Sequence, residues 1–307
     1  MFLLVFLLGL NVCAASPVAQ IGSKKYSSLE KAFSAVKKGQ TITLKKNTTI
    51  NGDLKIKLGK KSATLNLNKK KLTVKGTLNL ASGTLTVSGN GNLTAKQVKN
   101  AGSLTLKNGT INGSVYNTGK FTMDGGKLNY SKDLMYAIWA KSGTVTINKG
   151  TVTYKRHFVS YEDGNETPET TNGATIIALG KSKVIVNGGN YSIKGVWEFA
   201  YVYGNCTLNI KGGNIKSQWS LVETYSERSK ANISGGTMTT TMPGNDGQAA
   251  MFIAYNGKIN ITGGKFVAKN KPYAYWRDPN STGSIKVSKK VKMPTPNLWK
   301  KTDDVCA

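Results

Sequence analysis

The chain has 307 residues, of which 39% are hydrophobic and 8% aromatic, so it is long enough to bury a sizeable core in one large domain or two ordinary ones. This composition argues against a chain that is disordered throughout. The formal net charge is +28, from 43 lysines and arginines against 15 aspartates and glutamates, and this excess favours an anionic partner or surface. The 34 glycines against 7 prolines favour many short strands joined by tight turns over a helical protein.

The first 15 residues have the pattern of a secretory signal peptide. An apolar run over Met1–Leu10 is followed by small residues that end at Ala15, where signal peptidase would cleave. The run departs from the usual pattern, because no lysine or arginine precedes it. We expect residues 1–15 to be a signal peptide and the protein to be secreted or at the cell surface, with lipid anchoring at Cys13 and a buried N-terminal strand as alternatives. No other run reaches the roughly 18 apolar residues of a transmembrane segment.

Residues 16–40 are predicted to form an N-terminal cap with one short helix. Ser27–Glu30 has the pattern of a helix N-cap and predicts a helix over 28–37. The apolar residues that follow fall on one helical stripe: Leu29, Ala32, Phe33 and Val36. A repetitive fold needs such a cap, because an open end exposes both its core and its strand edges.

A short motif, apolar-x-Gly-Gly-x-apolar, recurs along the chain. Its copies are Met123–Leu128, Val186–Tyr191, Ile210–Ile215, Ile233–Met238 and Ile261–Phe266. The second glycines of the last four copies are 24, 23 and 28 residues apart, and the apolar residues before them alternate as in strands with one inward face. Because such a short unit buries its inner face only by stacking on its neighbours, the repeat predicts an all-β fold, a single-stranded parallel β-helix of roughly ten coils.

This β-helix is expected to span residues 41–291. The spacing of the motif grows between Gly150 and Gly189, and the extra length over 156–172 is interpreted as a loop inserted into one coil. The alternation stops after Val287, so residues 292–307 are interpreted as a C-terminal tail.

The beginning of the chain resembles a known family. Ile21–Phe33 and Ala35–Leu44 are similar to the first coil of pectin-lyase-like β-helix proteins of bacterial cell surfaces, in which a Tyr-x-Ser/Thr-Leu-x-x-Ala helix leads into Gly-x-Thr-Ile-x-Leu. The resemblance implies a right-handed parallel β-helix over roughly residues 20–290, with Ile42 and Leu44 pointing inward, on a secreted or cell-surface protein. It leaves the activity open, because the family includes lyases, hydrolases and non-catalytic adhesins.

The catalytic motifs that the resemblance would imply for an enzyme are missing from the predicted β-helix. The Asn-Thr-Asp, Asp-Asp and Gly-His-Gly motifs of polygalacturonase-like hydrolases do not occur in it, and no acidic cluster accompanies Arg228 or Arg277 as pectate-lyase-like chemistry would require. Glu198 and Glu223 are the best remaining carboxylate pair. Aligning the segments 197–203 and 219–225 puts them three positions apart, which predicts opposite faces of the sheet. No catalytic residue is assigned, and a lyase or hydrolase with a non-standard site stays the alternative.

No cofactor is expected. His157 is the single histidine, which argues strongly against a zinc site. Glu162, Asp163 and Glu166 supply oxygen ligands of the kind that calcium prefers; the alternative is a solvated acidic loop. Cys206 is predicted to be buried with its strand and Cys306 to lie in the tail, so free thiols are favoured over a disulfide between them.

An aromatic strip is the most informative surface feature. The alignment puts Trp139, Tyr203, Tyr225 and Tyr255 at one position of successive coils, with Tyr201 two residues before Tyr203. Trp197 and Trp219 flank this strip. Because only one face of each strand points into the core, the strip is expected on the outside, where it is either covered by another segment of the chain or is a binding platform.

Lysines are concentrated near the N-terminus. Fifteen of them lie between Lys24 and Lys75, against two acidic residues. The lysines predicted to contact a ligand are Lys55, Lys57, Lys69, Lys70 and Lys71. Nucleic acid is a poor candidate partner, because 3 arginines against 40 lysines supply few bidentate donors. The sequence thus predicts a secreted, non-catalytic, adhesin-type protein that binds acidic glycans or cell-envelope polymers.

Overall fold

A computed structural model gives the architecture of the chain. It describes residues 16–131, 136–155, 173–194, 198–241, 250–270, 273–277 and 280–294. The predicted signal peptide, the 156–172 insertion with its candidate calcium ligands Glu162, Asp163 and Glu166, and most of the tail with Cys306 lie outside the described residues. None of the described helices is long and apolar enough to cross a membrane.

The described residues are almost all in strands. The helix is α1, Leu29–Ala35. The strands in chain order are β1 (Ala19–Ile21), β2 (Lys24–Tyr26), β3 (Gln40–Leu44), β4 (Thr48–Ile50), β5 (Leu54–Asn66), β6 (Lys71–Ser88), β7 (Asn92–Asn100), β8 (Ser103–Leu106), β9 (Thr110–Asn117), β10 (Lys120–Met123), β11 (Lys127–Tyr130), β12 (Tyr136–Ile147), β13 (Thr151–Lys155), β14 (Ala174–Val186), β15 (Asn190–Lys194), β16 (Glu198–Val202), β17 (Thr207–Ile210), β18 (Asn214–Ser217), β19 (Val222–Thr224), β20 (Lys230–Thr240), β21 (Ala250–Ala254), β22 (Lys258–Ala268), β23 (Tyr273–Arg277) and β24 (Ser284–Val287).

These strands pair in three parallel ladders, which we name A, B and C. Ladder A begins with 40–44 and 62–66 and ends with 284–287. Ladder B begins with 48–50 and 71–74 and ends with 265–268. Ladder C begins with 54–57 and 77–80 and ends with 273–277. The chain visits A, B and C in turn and then returns to A, so each pass adds one strand to each ladder, in a mostly parallel all-β architecture.

The core lies between the three ladders and follows the alternation of the sequence. Ile42 and Leu44 are fully buried, as predicted, while Thr43 between them is only partly buried and Thr41 before them is exposed. The same inward column continues from Ile42 through Leu65, Val87 and Leu106. Complete burial of such a side chain contributes roughly 1.5–3 kcal/mol, so the stacked inward columns are the main stabilising feature.

Glycine is required where the chain turns from ladder A to ladder B. Gly126 of the first Gly-Gly motif has a φ of +71°, and a Cβ there would lie 2.5 Å from the carbonyl oxygen of Gly109 in the preceding pass. Successive corners therefore stack backbone on backbone, which only a residue without a side chain permits. This contact explains why the motif recurs with the period of the passes.

The N-terminal segment differs from the rest. Strand β1 pairs antiparallel with both β2 and β3, which the sequence did not indicate. Helix α1 lies within the 28–37 segment; Ser28 Oγ accepts a hydrogen bond from Lys31 N at 3.2 Å, and Leu29, Ala32 and Phe33 are buried. The helix therefore packs its apolar stripe against the core.

Cys206 is buried with the core residues Leu208 and Ile210, as predicted from their alternation. Its thiol accepts a hydrogen bond from Ser182 Oγ at 3.3 Å, and it is a free cysteine in the described structure.

Candidate functional site

The outer face of ladder C carries one continuous column of side chains, one from each pass. In chain order the column is Lys55, Asn79, Lys99, Tyr116, Trp139, Ile177, Tyr201, Glu223, Ile253 and Trp276. It begins as a basic and polar row and becomes aromatic at Tyr116. Since neighbouring strands lie about 4.8 Å apart, the lysines and the first rings are within reach of one extended ligand.

A second column lies two residues further along each strand and therefore on the same face. It contains Leu179, Tyr203, Tyr225 and Tyr255, whose tyrosine amides donate hydrogen bonds of 2.8, 3.0 and 2.9 Å to the preceding pass. The prediction that Trp139 shares this column is wrong, because Trp139 pairs with Ile177 and lies in register with Tyr201.

The error has an identifiable cause in the register between β12 and β14. The pairing shifts between Ala140 and Ser142, which pair with Ala178 and Lys181, so the pass with Trp139 has one residue fewer at this corner. Counting back from the glycine motif therefore misplaces Trp139 relative to the later passes.

The aromatic side chains form a nearly continuous run of ring contacts along ladder C. The ring-centroid distances are 6.2 Å for Tyr116–Trp139, 4.8 Å for Tyr136–Trp139, 6.3 Å for Tyr136–Tyr201, 5.5 Å for Tyr201–Tyr225, 4.5 Å for Tyr225–Tyr255 and 5.4 Å for Tyr255–Trp276. Tyr225 and Tyr255 are stacked, with planes 15° apart. Each such pair adds roughly 0.5–1.5 kcal/mol beyond area burial, so the run is also a rigid structural element.

The aromatic side chains of this strip differ in how much of their surface is exposed. Tyr203 is 55% exposed, whereas Tyr201 is only 6% exposed and packs in a cluster with Tyr136, Ala174 and Ile177 that is separate from the main core. Trp139, Tyr225 and Tyr255 are half-buried. The strip is thus partly covered and partly open.

The structure divides the predicted lysines between two places. Lys55 and Lys57 are exposed on the outer face of ladder C. Lys69 and Lys70 lie instead at the corner between ladders A and B, where Lys69 has a φ of +59°, and Lys71 is the first residue of the ladder B strand that follows. The two groups do not form one surface. Lys99, which the sequence prediction did not single out, joins Lys55 in the column, and its alternation with the buried Val98 and Asn100 is the signal that could have identified it.

Trp219, one of the two flanking tryptophans, is not a member of either column. Trp219 lies in the connection between β18 and β19, where its amide donates to Ser217 Oγ at 3.3 Å and its carbonyl accepts from Thr240 Oγ1 at 2.7 Å. Trp197 lies outside the described residues. The open part of the strip therefore rests on Trp139, Tyr203, Tyr225 and Tyr255.

Glu198 and Glu223 lie together on this face, so the prediction of opposite faces is wrong. Both are buried, at 2% and 4% exposure, and they are close enough for the charge of Glu223 to act on Glu198. The alternation breaks between them because Phe199 and Ala200 both belong to the core. This break exchanges the inward and outward positions of the alternation. Two aligned positions that are three residues apart, those of Glu198 and Glu223, therefore both lie on the outer face.

Burial raises the pKa of Glu198 well above its ordinary value, and the charge of Glu223 raises it further. Burial also raises the pKa of Glu223, and the hydrogen bond from Tyr225 opposes that shift. Tyr225 Oη donates to Glu223 Oε2 at 2.6 Å. Because burial favours the uncharged form of a carboxyl group, this environment favours a pair that holds a proton.

The geometry of this pair does not match a glycosidase. The carboxyls of glycosidases flank a bound sugar, about 5–5.5 Å apart in retaining enzymes and further apart in inverting ones, whereas these two are almost completely buried. In the described residues no group of three or more His, Cys, Asp or Glu side chains is arranged to hold a metal ion. The pair therefore acts as a buried polar network that holds the tyrosines in place.

Comparisons with protein-family models, with curated proteins and with solved structures found no match.

Proposed function

We propose that the three ladders form a right-handed parallel β-helix of the pectin-lyase-like kind, whose N-terminal end is capped by α1. The support is the repeated A, B, C order of the strands, the buried stripe of α1 and the resemblance of Ile21–Leu44 to the first coil of that family. With the signal-peptide pattern of residues 1–15, this proposal makes the protein secreted or cell-surface.

We further propose that the protein is a non-catalytic, adhesin-type binder of acidic polysaccharide or cell-envelope polymer, along the outer face of ladder C. The observation that supports this most is the column Lys55, Asn79, Lys99, Tyr116 and Trp139, which puts cations and aromatic rings one strand spacing apart. Lysine attracts carboxylate or sulfate groups as a point charge, and aromatic rings offer a flat apolar surface to the C–H face of a sugar ring.

The charge of this surface is not neutralised by ion pairs among the described residues. No lysine or arginine of the described residues forms an ion pair with another described residue. A positive field of this kind attracts anionic polymers and falls off with added salt. The polymer contacts would therefore weaken as ionic strength rises.

The test is binding of the full chain to immobilised acidic and neutral polysaccharides at low salt. Lys55→Gln/Lys99→Gln is expected to weaken binding to the acidic polymer about tenfold or more, whereas Lys69→Gln/Lys71→Gln, with the same charge change at the A–B corner, is expected to bind like the unaltered protein. If the two variants lost binding affinity equally, the binding would be non-specific electrostatic attraction and the proposal would be contradicted. Incubation with uronic-acid polymers, followed by assays for unsaturated products and new reducing ends, tests the enzymatic alternative directly.

A further inference from the structure

A polar groove lies at the corner where ladder B leads into ladder C. Its volume is about 730 Å³, and it crosses five successive passes, from Asn51 and Gly52 to Asn129 and Ser131. Four strand spacings of about 4.8 Å make it about 19 Å long. It is therefore an elongated groove parallel to the stacking direction, distinct from the aromatic strip of ladder C.

One wall of the groove is a column of hydroxyl and amide side chains from ladder B. Thr73, Thr94, Asn112 and Asn129 are in register in four consecutive passes. Asn129 Nδ2 donates to Asn112 Oδ1 at 3.3 Å, and Asn112 Nδ2 donates to Thr94 Oγ1 at 3.4 Å. These bonds are long, so the column keeps much of its capacity to bond an incoming hydroxyl.

The corner itself supplies two cations in adjacent passes. Lys75 and Lys96 line the groove and are exposed, and neither makes an ion pair or a side-chain hydrogen bond to any residue in the described ranges. Asp53 lies at the same corner, and its Oδ1 accepts a hydrogen bond from Thr77 N at 2.7 Å. Within the described residues the groove therefore presents two lysines without an ion pair beside a column of neutral polar groups.

The next pass keeps this corner narrow. Gly113 stands there with a φ of +152°, and a Cβ on it would collide with the carbonyl oxygen of Ala95. The pass thus turns from ladder B to ladder C on a single residue without a side chain, between Asn112 and Ser114. Gly113 and Lys96 both line the groove.

We propose that this groove is a second binding site, for a chain of acidic sugars that lies parallel to the stacking direction, with Lys75 and Lys96 on its carboxylate or sulfate groups and the column from Thr73 to Asn129 on its hydroxyls. The two lysines come from adjacent passes, so their charges repeat at about one strand spacing, as anionic groups repeat along a sugar polymer. No aromatic residue lines the groove within the described residues, and this disfavours single-stranded nucleic acid, which is bound by stacking of its bases.

This inference goes beyond the proposed function because it assigns a separate face with its own lysines. A chain with both faces would bind two polymer strands, or two parts of one strand, at once. Two linked sites increase the apparent affinity without any new contact, provided that one ligand reaches both.

The test is calorimetric titration of the full chain with a short oligogalacturonate, which serves as a probe of uronate chemistry. We expect two bound oligomers. Lys75→Gln/Lys96→Gln is expected to weaken one site about tenfold or more and to leave the other. Thr94→Tyr fills the groove at an exposed strand position without changing the charge, and it is expected to remove the same site. Thermal unfolding of each variant confirms that the fold is retained.

The matched control is Lys55→Gln/Lys99→Gln, which has the same charge change on ladder C and is expected to weaken only the other site. Failure of this control variant to affect binding would count against the proposed function and leave the groove standing. Unchanged stoichiometry and affinity in both Lys75→Gln/Lys96→Gln and Thr94→Tyr would overturn the groove proposal. Equal binding of a neutral oligosaccharide of the same length would overturn its assignment to acidic sugars.

Discussion

Tyr225 Oη donates a hydrogen bond of 2.6 Å to Glu223 Oε2 on the outer face of ladder C. Glu223 lies in the pass after Glu198, and both carboxyl groups are buried beside the tyrosines of the aromatic strip. The packing of the candidate binding face therefore includes a pair of acids whose burial favours the protonated form.

This pair makes the stability of the protein depend on pH. Burial raises the pKa of both carboxyls, so the folded chain holds their protons more tightly than the unfolded chain. The stabilisation is complete below the ordinary glutamate pKa of about 4.3 and is lost as the pH rises through the raised pKa values. Glu198→Gln keeps a neutral hydrogen-bonding group, and we expect it to raise the free energy of unfolding by about 1–3 kcal/mol near pH 8.

Urea denaturation at a series of pH values measures this effect. Glu198→Gln is expected to flatten the fall in stability with rising pH, whereas Glu30→Gln, at an exposed position in α1, should follow the unaltered protein. A Glu198→Gln profile parallel to that of the unaltered protein would show that the pair does not hold an extra proton.

The Tyr225 hydroxyl is expected to stabilise the same pair. Tyr225→Phe removes the donor that lies 2.6 Å from Glu223 Oε2 and leaves that buried oxygen without it, at an expected cost of about 1–3 kcal/mol. Tyr203→Phe is the matched control, because Tyr203 is 55% exposed, and it should change the free energy of unfolding by less than about 0.5 kcal/mol. Equal effects of the two substitutions in equilibrium denaturation would contradict the network.

The stacked corners between ladders A and B are expected to tolerate no Cβ. Gly126→Ala combines a left-handed backbone with a contact of 2.5 Å to the Gly109 carbonyl oxygen, and we expect it to cost more than about 1 kcal/mol. Gly22→Ala isolates the backbone effect, because Gly22 has a φ of +55° and nothing within 4 Å of the added Cβ. Thermal unfolding should rank Gly126→Ala as clearly the more destabilising, and the reverse order would refute the stacking argument.

Cys206 is expected to be a protected free thiol. It is 1% exposed, and attack by a thiol reagent requires access to the sulfur. Peptide mapping after alkylation should find Cys206 unmodified in the folded protein and modified in denaturant without reductant. If denaturant alone leaves it unmodified and reductant is also needed, Cys206 is in a disulfide, which is the alternative to free thiols for Cys206 and Cys306.

The sequence was sufficient to predict which side chains point inward within a strand, but not how the chain turns at the corners. Alternation predicted that Ile42, Leu44 and Cys206 point inward, because that rule depends only on neighbours in one strand. It failed at Glu198 and Glu223, because two consecutive residues enter the core at the start of the strand, as in Phe199 and Ala200.

The candidate site was harder to predict for the same reason. Lys55 and Lys69 are close in sequence, yet Lys55 lies on ladder C and Lys69 lies at the corner between ladders A and B. The chain turns into ladder A between them. The groove at Lys75 and Lys96 depends on corner lengths in five passes, which vary by single residues. Such differences decide which side chains meet, and no hydrophobic pattern reports them.

The short antiparallel strand pair at the N-terminus has a consequence for self-association. A free strand edge is a template on which another chain adds, and the first strand of ladder A would offer one. Strand β1 occupies that edge, and the new edge is β2, only three residues long, with Lys24 and Lys25 exposed. A second molecule that approached this end would meet two positive charges in place of a long flat strand. The edge of ladder A at this end is therefore a poor template for the addition of another strand.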